Sequence, residues 1–275
     1  PPADIFDAGG SIVVYGTDRA SVESEADRQI SKLSDLEPVV SNPLLSETNA
    51  VQTALSLLVS DEVNTVVLAD AQDNPGAGGT SNSTGLLGAL IEAGARNVVL
   101  ALFWDSLAAK LAHQAGEGAQ IKLTLGGLYP EQGSIPLVVT CRVEKLSDGK
   151  FRGTGEMYRD CEFELGLMAT LRIVHGDSDV RVIVSSQRFQ CLDLSILRNM
   201  NIEPEETSII AVKSTVHFLT DFDPIADEVI FVNSPGAHPC KLADVDYRAL
   251  RPGIRLGPMG PKFVSKKKKK TTFEA

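Results

Sequence analysis

The strongest constraint on the fold is an alternation of short apolar strands with amphipathic helices between residues 64 and 127. Three segments there are predicted strands: NTVVLAD (64–70) and NVVLALFW (97–104), which contain almost continuous apolar runs, and QIKLTLGG (120–127). Strands with unbroken apolar runs are buried on both faces, which is typical of a parallel sheet covered by helices. Helices predicted near residues 83–93 and from Ser106 to about Gly116 would supply that cover.

The sequence changes character between residues 136 and 190, where longer β-like runs are joined by turn signals. The pairs Asp148-Gly149 and Gly176-Asp177 each lie between two such runs, which predicts a hairpin at each position. Strands and helices alternate again afterwards, with strands predicted at 208–215 and 227–233. The sequence therefore predicts an α/β fold, in which a mostly parallel sheet is flanked by helices and carries an antiparallel β-hairpin insertion around 136–190.

The charge is distributed unevenly along the 275 residues. The formal net charge is −10, but residues 261–275 carry +5 because they hold six Lys and one Glu, which leaves −15 on residues 1–260. The strong negative charge of residues 1–260 disfavours nucleic acid as a partner, since it would repel the phosphate backbone. The run Lys266–Lys270 predicts a basic disordered tail, with an electrostatic tether or targeting patch as the alternative.

The chain carries neither a membrane signal nor a cysteine motif. No apolar run reaches the roughly 20 residues of a membrane span, and residues 1–20 lack the pattern of a signal peptide. We therefore expect no membrane contact and a cytoplasmic location. The cysteines are far apart and lack C-x-x-C spacing, so neither a zinc knuckle nor a disulfide framework is predicted.

The first candidate site is the segment DAQDNPGAGGTSNST, residues 70–84, which joins a predicted strand to a predicted helix. It combines two carboxylates, a strong turn signal, glycines that let the backbone approach a ligand, and hydroxyl side chains at a helix N-terminus that attracts anions. We expect substrate contacts from Asp70, Asp73, Asn74, Gly76, Gly78, Gly79, Ser83 and Thr84. The alternative is a turn whose Asp and Ser side chains only cap local backbone groups.

The second candidate site is KSTVHF, residues 213–218, at the end of a predicted strand. Lys213 can pair with an anion, Ser214 offers a hydroxyl group, and His217 can act as an acid or base near neutral pH. Ligands of open α/β sheets bind at the carboxyl ends of strands, so we expect both candidate segments to meet in one crevice. The alternative is a solvent-facing lysine beside a histidine that caps a helix.

Familiar catalytic and nucleotide-binding signatures are absent. The glycines of residues 76–79 are not followed by Lys and do not form G-x-G-x-x-G, and neither H-E-x-x-H nor G-x-S-x-G occurs. Asp70 and Asp73 could contact a magnesium ion, but the spacing reveals no further ligands for it. The residues by themselves therefore predict no metal site and leave enzyme and binding module open.

Four sequence blocks add a resemblance: VVLADAQDNPGAGGTSNSTGLLGALIEAG, FWDSLAAKLAHQAGEGAQIKLTLGG, VKSTVHFLTDFDPIADEVIFVNSPG and YRALRPGIRLGP. Together and in this order they resemble the C-terminal domain of the microcystinase C (MlrC) family of metallopeptidase-like proteins, over roughly residues 40–260. Within this resemblance, Asp70–Gly79 and Lys213–Phe218 look like cleft-facing elements. Asn82 departs from the family pattern, which often has Asp at this turn.

The resemblance implies a preceding N-terminal α/β domain whose Glu, Asp and His residues hold a catalytic zinc. Residues 1–40, with a strand expected at 11–16 and a helix at 21–36, would be a remnant or linker of that domain. Residues 41–260 would be the MlrC-like C-terminal domain, followed by the tail 261–275. The zinc ligands cannot be mapped onto this sequence, so this chain alone is expected to bind no metal and to be inactive.

These expectations give two main hypotheses, beside a purely structural or assembly role. In the first, the chain is the C-terminal half of a zinc-dependent hydrolase of peptide or amide bonds and forms one wall of the substrate cleft. Lys213 and the N–H groups of Gly76–Gly79 would hold substrate oxygens, His217 would lie near the reacting group, and both side chains would be catalytic. The expected partners are the N-terminal catalytic domain of the same polypeptide, a small peptide-like or amide substrate and, as a further option, a second copy of the chain. The alternative is an anion or small-ligand binding module that uses residues 70–84 without catalysis.

Overall fold

The computed structural model describes residues 3–40, 44–130 and 134–265. The lysine run 266–270, with the rest of the predicted tail after residue 265, lies outside the described residues. The chain divides into two compact units. One unit is Leu44–His238, and the other combines residues that precede Leu44 with residues that follow His238.

The helices and strands are numbered in chain order. The helices are α1 (Arg19–Leu36), α2 (Glu47–Leu57), α3 (Gly85–Glu92), α4 (Ser106–Ala115), α5 (Ser195–Asn199) and α6 (Leu219–Phe222). The strands are β1 (Val66–Asp70), β2 (Val98–Trp104), β3 (Gln120–Leu125), β4 (Leu137–Ser147), β5 (Lys150–Arg152), β6 (Glu162–Glu164), β7 (Met168–Ile173), β8 (Val180–Ser185), β9 (Ile209–Val212) and β10 (Glu228–Val232).

An eight-stranded mixed sheet in the order β10-β1-β9-β2-β8-β7-β4-β3 forms the centre of the unit Leu44–His238. The pairs from β10 to β8 are parallel, and the pairs from β8 to β3 are antiparallel. A separate two-stranded antiparallel sheet consists of β5 and β6. The predicted α/β fold class is thus confirmed.

The apolar strands bury alternate residues on the two faces of the sheet. Val66 and Leu68 of β1 belong to one hydrophobic cluster, which α2, α3 and α4 cover, whereas Val67 and Ala69 belong to a second cluster with residues of α5 and α6. Every residue of β1 is buried. Burial on both faces explains why this strand has no polar alternation before its last residue, Asp70.

Two local expectations differ from the structure. The hairpin predicted at Asp148-Gly149 is wrong, because β4 pairs with β3 and β7 while β5 pairs with β6. Neighbours occupy both edges of β4, so the following strand has no edge to join. The hairpin at Gly176-Asp177 is confirmed as the antiparallel pair of β7 and β8. The strand β8 also pairs in parallel with β2, which makes the predicted insertion part of the main sheet.

The second unit contains α1 and a small apolar cluster of Tyr247, Leu250 and Phe263. The strand expected at residues 11–16 is wrong, since no β-pairing involves these residues. Val13 and Tyr15 are 69% and 90% exposed, and a strand without a partner strand leaves its backbone groups to water. The helix α1 begins at an Asp18 cap, and none of its side chains is buried.

No helix within residues 3–40, 44–130 and 134–265 is both long enough and apolar enough to cross a membrane.

Candidate functional site at the carboxyl ends of the parallel strands

Charged side chains meet where the central parallel strands end. Asp70 is the last residue of β1, and Lys213 directly follows β9, the parallel neighbour of β1. Asp105 follows β2, which pairs with the other edge of β9. The expectation that residues 70–84 and 213–218 come together at this edge agrees with the strand order.

Lys213 is fully buried between two carboxylates. Its Nζ lies 2.9 Å from Asp70 Oδ2 and 2.9 Å from Asp73 Oδ2, and it also donates to Ser83 Oγ at 2.9 Å. The side chain of Lys213 is 1% exposed, and those of both aspartates are 0% exposed. The three N–H donors of the ammonium group are therefore engaged inside the protein.

Asp73 organises the loop that follows it. Its Oδ1 accepts from Thr80 N, Thr80 Oγ1 and Ser81 N, and its Oδ2 accepts from Ser83 N and Ser83 Oγ, all at 2.7–2.8 Å. These N–H groups precede α3 and are the groups that would attract an external anion. The carboxylate of Asp73 already occupies that position.

The pKa values of Asp70 and Asp73 are shifted in opposite directions. Burial raises the pKa of Asp73, but Lys213 and the N–H and O–H donors of the loop outweigh it and lower the pKa to about 2. For Asp70, burial dominates over the attraction of Lys213 and raises the pKa. The difference follows from hydrogen bonding, because Asp70 Oδ1 is buried without a hydrogen-bond partner.

The cluster does not fit a metal ion. Its central position is taken by the ammonium group of Lys213, a cation already paired with both carboxylates. In the described part of the chain, no three His, Cys, Asp or Glu side chains are grouped so that they could hold a metal. The catalytic zinc that the family resemblance implies therefore finds no ligand set among these residues.

The glycine turn uses its N–H groups internally. Gly76 N donates to Asn74 Oδ1, Ala77 N and Gly79 N donate to Asn74 O, and Gly78 N donates to Pro75 O. Gly76 and Gly78 are exposed, whereas Gly79 is buried. A Cβ atom on Gly79 would lie 2.5 Å from the carbonyl carbon of Asp73, so this position requires glycine. Binding of a substrate oxygen by these groups would require exchange of the internal hydrogen bonds.

Two side-chain hydrogen bonds join the neighbouring segments to this turn. Asn74 Nδ2 donates to Thr215 Oγ1 at 2.9 Å, and Gln190 Nε2 donates to the buried Ser214 Oγ at 2.6 Å. His217, two residues after Thr215, is exposed. The structure therefore brings the two predicted segments together, with Lys213 and Ser214 inside the protein and His217 at its surface.

Asn82 connects the loop to β2 and to the segment after β3. Its Nδ2 donates to Trp104 O at 2.8 Å, while its Oδ1 accepts from Leu128 N and Ser134 Oγ. It does not cap α3, whose N-cap residue is Thr84, and Thr84 Oγ1 donates instead to Ile135 O. An Asp at position 82, which the family resemblance leads one to expect, would lack the N–H donor that faces the Trp104 carbonyl group here.

An aromatic pair and an arginine, none of which belongs to a recognised sequence motif, also lie at this edge of the sheet. The ring of Trp104, at the end of β2, stacks on Tyr129 with a centroid distance of 6.3 Å and an interplanar angle of 24°. The guanidinium carbon of Arg188 lies 5.6 Å from the centroid of the Trp104 ring. Asp105 caps α4 by accepting from Ala108 N. Sequence reasoning missed Trp104, Tyr129 and Arg188, because their contacts link positions 25 to 84 residues apart.

A groove of about 730 Å³ lies away from the predicted residues. It is lined near the amino ends of β2 and β9, among others by Asn97, Arg181 and Thr207. None of the side chains predicted to bind substrate borders it. The groove is large enough for a ligand but lacks the side chains predicted to bind substrate. The charged cluster and the loops at the carboxyl ends of the strands are therefore the candidate site.

Comparisons with known proteins agree with this fold. Microcystinase C from Sphingomonas sp. is 28% identical over 169 residues, which are 62% of this chain and 32% of that protein. The crystal structure of a "putative metallopeptidase" from Mesorhizobium sp. BNC1 superposes with a TM-score of 0.67 and 21% identity, covering 84% of this chain and 45% of the other. The chain thus spans about a third of the length of the curated relative and under half of the solved one.

The family described as MlrC C-terminus matches residues 68–249. The matched region contains β1, the Asp70–Thr84 loop, Lys213 and the strands that surround them. The resemblance first noted in the four sequence blocks is therefore confirmed. The chain belongs to the MlrC C-terminus family.

Proposed function

We propose that this chain is the C-terminal part of a zinc-dependent hydrolase that cleaves peptide or amide bonds in small substrates. The observation that carries the proposal is the match to the MlrC C-terminus family across the whole candidate site. The similarity to Microcystinase C and to a metallopeptidase-like fold supports a hydrolase-like protein. The zinc would be held outside this chain, because the residues that the structure describes form no group of side chains that fits it.

In this proposal the chain supplies one wall of the substrate cleft. The buried cluster of Lys213, Asp70 and Asp73 fixes the conformation of the loop that precedes α3. The exposed residues Gly76, Gly78 and His217 form the part of this edge that substrate can reach. In this role His217 acts as the general acid or base at the reacting group.

A preceding domain of the same polypeptide is the partner in this proposal. The family match is to a C-terminus, and the relatives are two to three times longer than the region that matches this chain. Residues 11–16 form no strand and α1 buries no side chain, as expected of elements that pack against polypeptide outside this chain. Residues 1–40 would then belong to that domain or to its linker, and residues 41–260 to the C-terminal domain. A cytoplasmic location and self-association stay predictions.

The test compares this chain with the same chain preceded by the natural upstream polypeptide. We expect stoichiometric zinc, measured by mass spectrometry of the metal, and hydrolysis of small peptides or amides only in the longer protein. In that protein, His217→Ala should lower kcat by about 10²- to 10⁴-fold, the usual contribution of a general acid or base. His175→Ala, at another exposed histidine beside the turn between β7 and β8, is the matched control. A zinc-loaded longer protein that hydrolyses none of these bonds would refute the proposal.

The alternative, an anion-binding module at residues 70–84, receives less support. The backbone donors of this loop already bind the Asp73 carboxylate or carbonyl groups of the turn. An added phosphate would have to displace a buried, ion-paired side chain. Thermal-shift titration with phosphate and small carboxylates tests this, since a ligand of the native state must raise the unfolding midpoint.

A further inference from the structure

Arg188 is a cation at the edge where the proposed substrate binds. It is exposed and lies in the segment that leads from β8 to the buried Gln190. Among the described residues, no carboxylate or carbonyl group accepts a hydrogen bond from its guanidinium group. Lys213, the cation that the sequence suggested for this task, is instead buried and paired with two aspartates.

The position of Arg188 is set by the rings beneath it. Its guanidinium carbon lies over the Trp104 ring, 5.6 Å from the ring centroid. The Trp104 ring stacks on Tyr129 and donates from Nε1 to Ser186 O at 3.2 Å. A cation–π contact with an aromatic face uses no N–H donor of the guanidinium group, so these donors stay available for a ligand. The contact with Trp104 thus partly orders Arg188 before any ligand arrives, and no described residue accepts a hydrogen bond from its guanidinium group.

The same segment connects Arg188 to the glycine turn. Two residues later, Gln190 donates to Ser214 Oγ, and its Oε1 would be 2.3 Å from a Cβ atom on Gly76. On the other side, Trp104 O accepts from Asn82 of the loop that precedes α3. Arg188 therefore lies between the end of β2 and the exposed Gly76 region.

We propose that Arg188, which lies over the Trp104 ring, binds a carboxylate group of the substrate. The ligand class is a peptide or amide that carries a free carboxylate, which the planar guanidinium group can hold through two parallel hydrogen bonds. The inference rests on the proposed hydrolase function for the identity of the ligand as a substrate. It assigns the recognition of a negative charge to a residue outside the sequence motifs.

The single tryptophan of the chain makes the test direct. Trp104 fluorescence is titrated with N-acetyl-alanyl-alanine and, in parallel, with its C-terminal amide, at about 150 mM salt to screen long-range attraction. We expect a saturable change with the acid only. Isothermal titration calorimetry of the same pairs gives dissociation constants that do not depend on the fluorophore.

Substitutions identify the residue responsible. Arg188→Gln should weaken binding of the acid about ten- to hundredfold, the range for a lost charge-assisted pair, and Arg188→Lys should weaken it less. Arg159→Gln, at another exposed arginine, is the matched control and should bind as the wild type does. Equal affinity for acid and amide, or an unchanged dissociation constant in Arg188→Gln, would overturn the proposal.

The binding experiment and the hydrolysis experiment can fail independently of each other. A protein that binds the acid through Arg188 but whose longer form cleaves nothing would refute the hydrolase proposal and retain the carboxylate site. A longer form that cleaves peptides, with acid and amide bound equally well, would retain the hydrolase and remove this role of Arg188.

Discussion

Replacement of Asp73 by Asn tests whether this carboxylate holds the loop in place. The two oxygens of Asp73 accept hydrogen bonds from Thr80, Ser81 and Ser83, and one of them contacts Lys213 Nζ at 2.9 Å. In Asp73→Asn one oxygen becomes an NH₂ group, which must face either the Thr80–Ser81 donors or the Ser83–Lys213 donors. In either orientation the new NH₂ group faces hydrogen-bond donors, which lose the acceptor that they have in the wild type.

The magnitude follows from the contacts that are lost. At least two charge-assisted hydrogen bonds disappear inside the protein, and each such bond contributes about 1.5–3 kcal/mol. We expect the free energy of unfolding to fall by about 3–5 kcal/mol, a loss typical of one broken member of a buried ionic cluster. For a unit of this size, 3 kcal/mol corresponds to a decrease in Tm of about 6–12 °C.

The pH dependence gives an independent check on the sign. The pKa of Asp73 is lowered to about 2 in the folded protein, below the value of about 3.9 for an unfolded aspartate. The stability that its ionised form contributes is therefore fully present above about pH 4 and is lost as the pH falls towards 2. The difference between wild type and Asp73→Asn should shrink over that acidic range.

Asp70→Asn is the matched control, because Asp70 contacts the same lysine with a single oxygen. Its pKa is raised by burial and its Oδ1 has no hydrogen-bond partner, so the amide of Asp70→Asn can keep an oxygen towards Lys213 and should cost about 1–3 kcal/mol, less than Asp73→Asn. Urea unfolding at pH 7, followed by circular dichroism, measures both variants. If Asp73→Asn lost no more stability than Asp70→Asn, Asp73 would not be the residue that holds the loop.

Three further changes test other parts of the structure by the same unfolding assay or by thiol labelling. Asn82→Asp should cost about 1–3 kcal/mol, because a carboxylate would face the main-chain carbonyl group to which the amide now donates. Gly79→Ala should cost about 1–3 kcal/mol through its contact with backbone atoms, whereas Gly88→Ala, with open space around the added Cβ atom, should stabilise α3 by about 0.5–1 kcal/mol. Burial raises the pKa of Cys141 to about 11 and raises that of Cys191 as well, so both thiols should react with a disulfide reagent at pH 8 only after unfolding. Rapid labelling of either thiol in the native protein would contradict the burial on which this prediction depends.

The elements predicted with most success are those with a strong local pattern. The helix α3 lies within the predicted range 83–93, and α4 begins at the predicted Ser106, directly after Asp105. The strands β1 and β2 lie within the predicted ranges, because burial on both faces leaves an unbroken apolar run. The strand expected at residues 11–16 failed for the opposite reason, since pattern alone supplies no partner strand.

For the candidate site, too, the sequence predicted local features but not contacts between distant residues. Spacing correctly placed residues 70–84 and 213–218 at the ends of strands, and the strand order brought them together. The sequence could not show that Lys213 points at Asp70 and Asp73, since the contacts join positions 140 and 143 residues apart. Whether a charged side chain meets substrate or another charge depends on its neighbours in space.

By itself, the sequence determined the α/β class, the turn chemistry of residues 73–79 and the family to which the chain belongs. These depend on local periodicity, on residue types that allow a given backbone conformation, and on motifs in a fixed order. Only the tertiary structure decided which charges are neutralised inside the protein and which are free at its surface. It buried Lys213 with two carboxylates and left Arg188 exposed on Trp104, because desolvation and ion pairing arise from packing between distant segments.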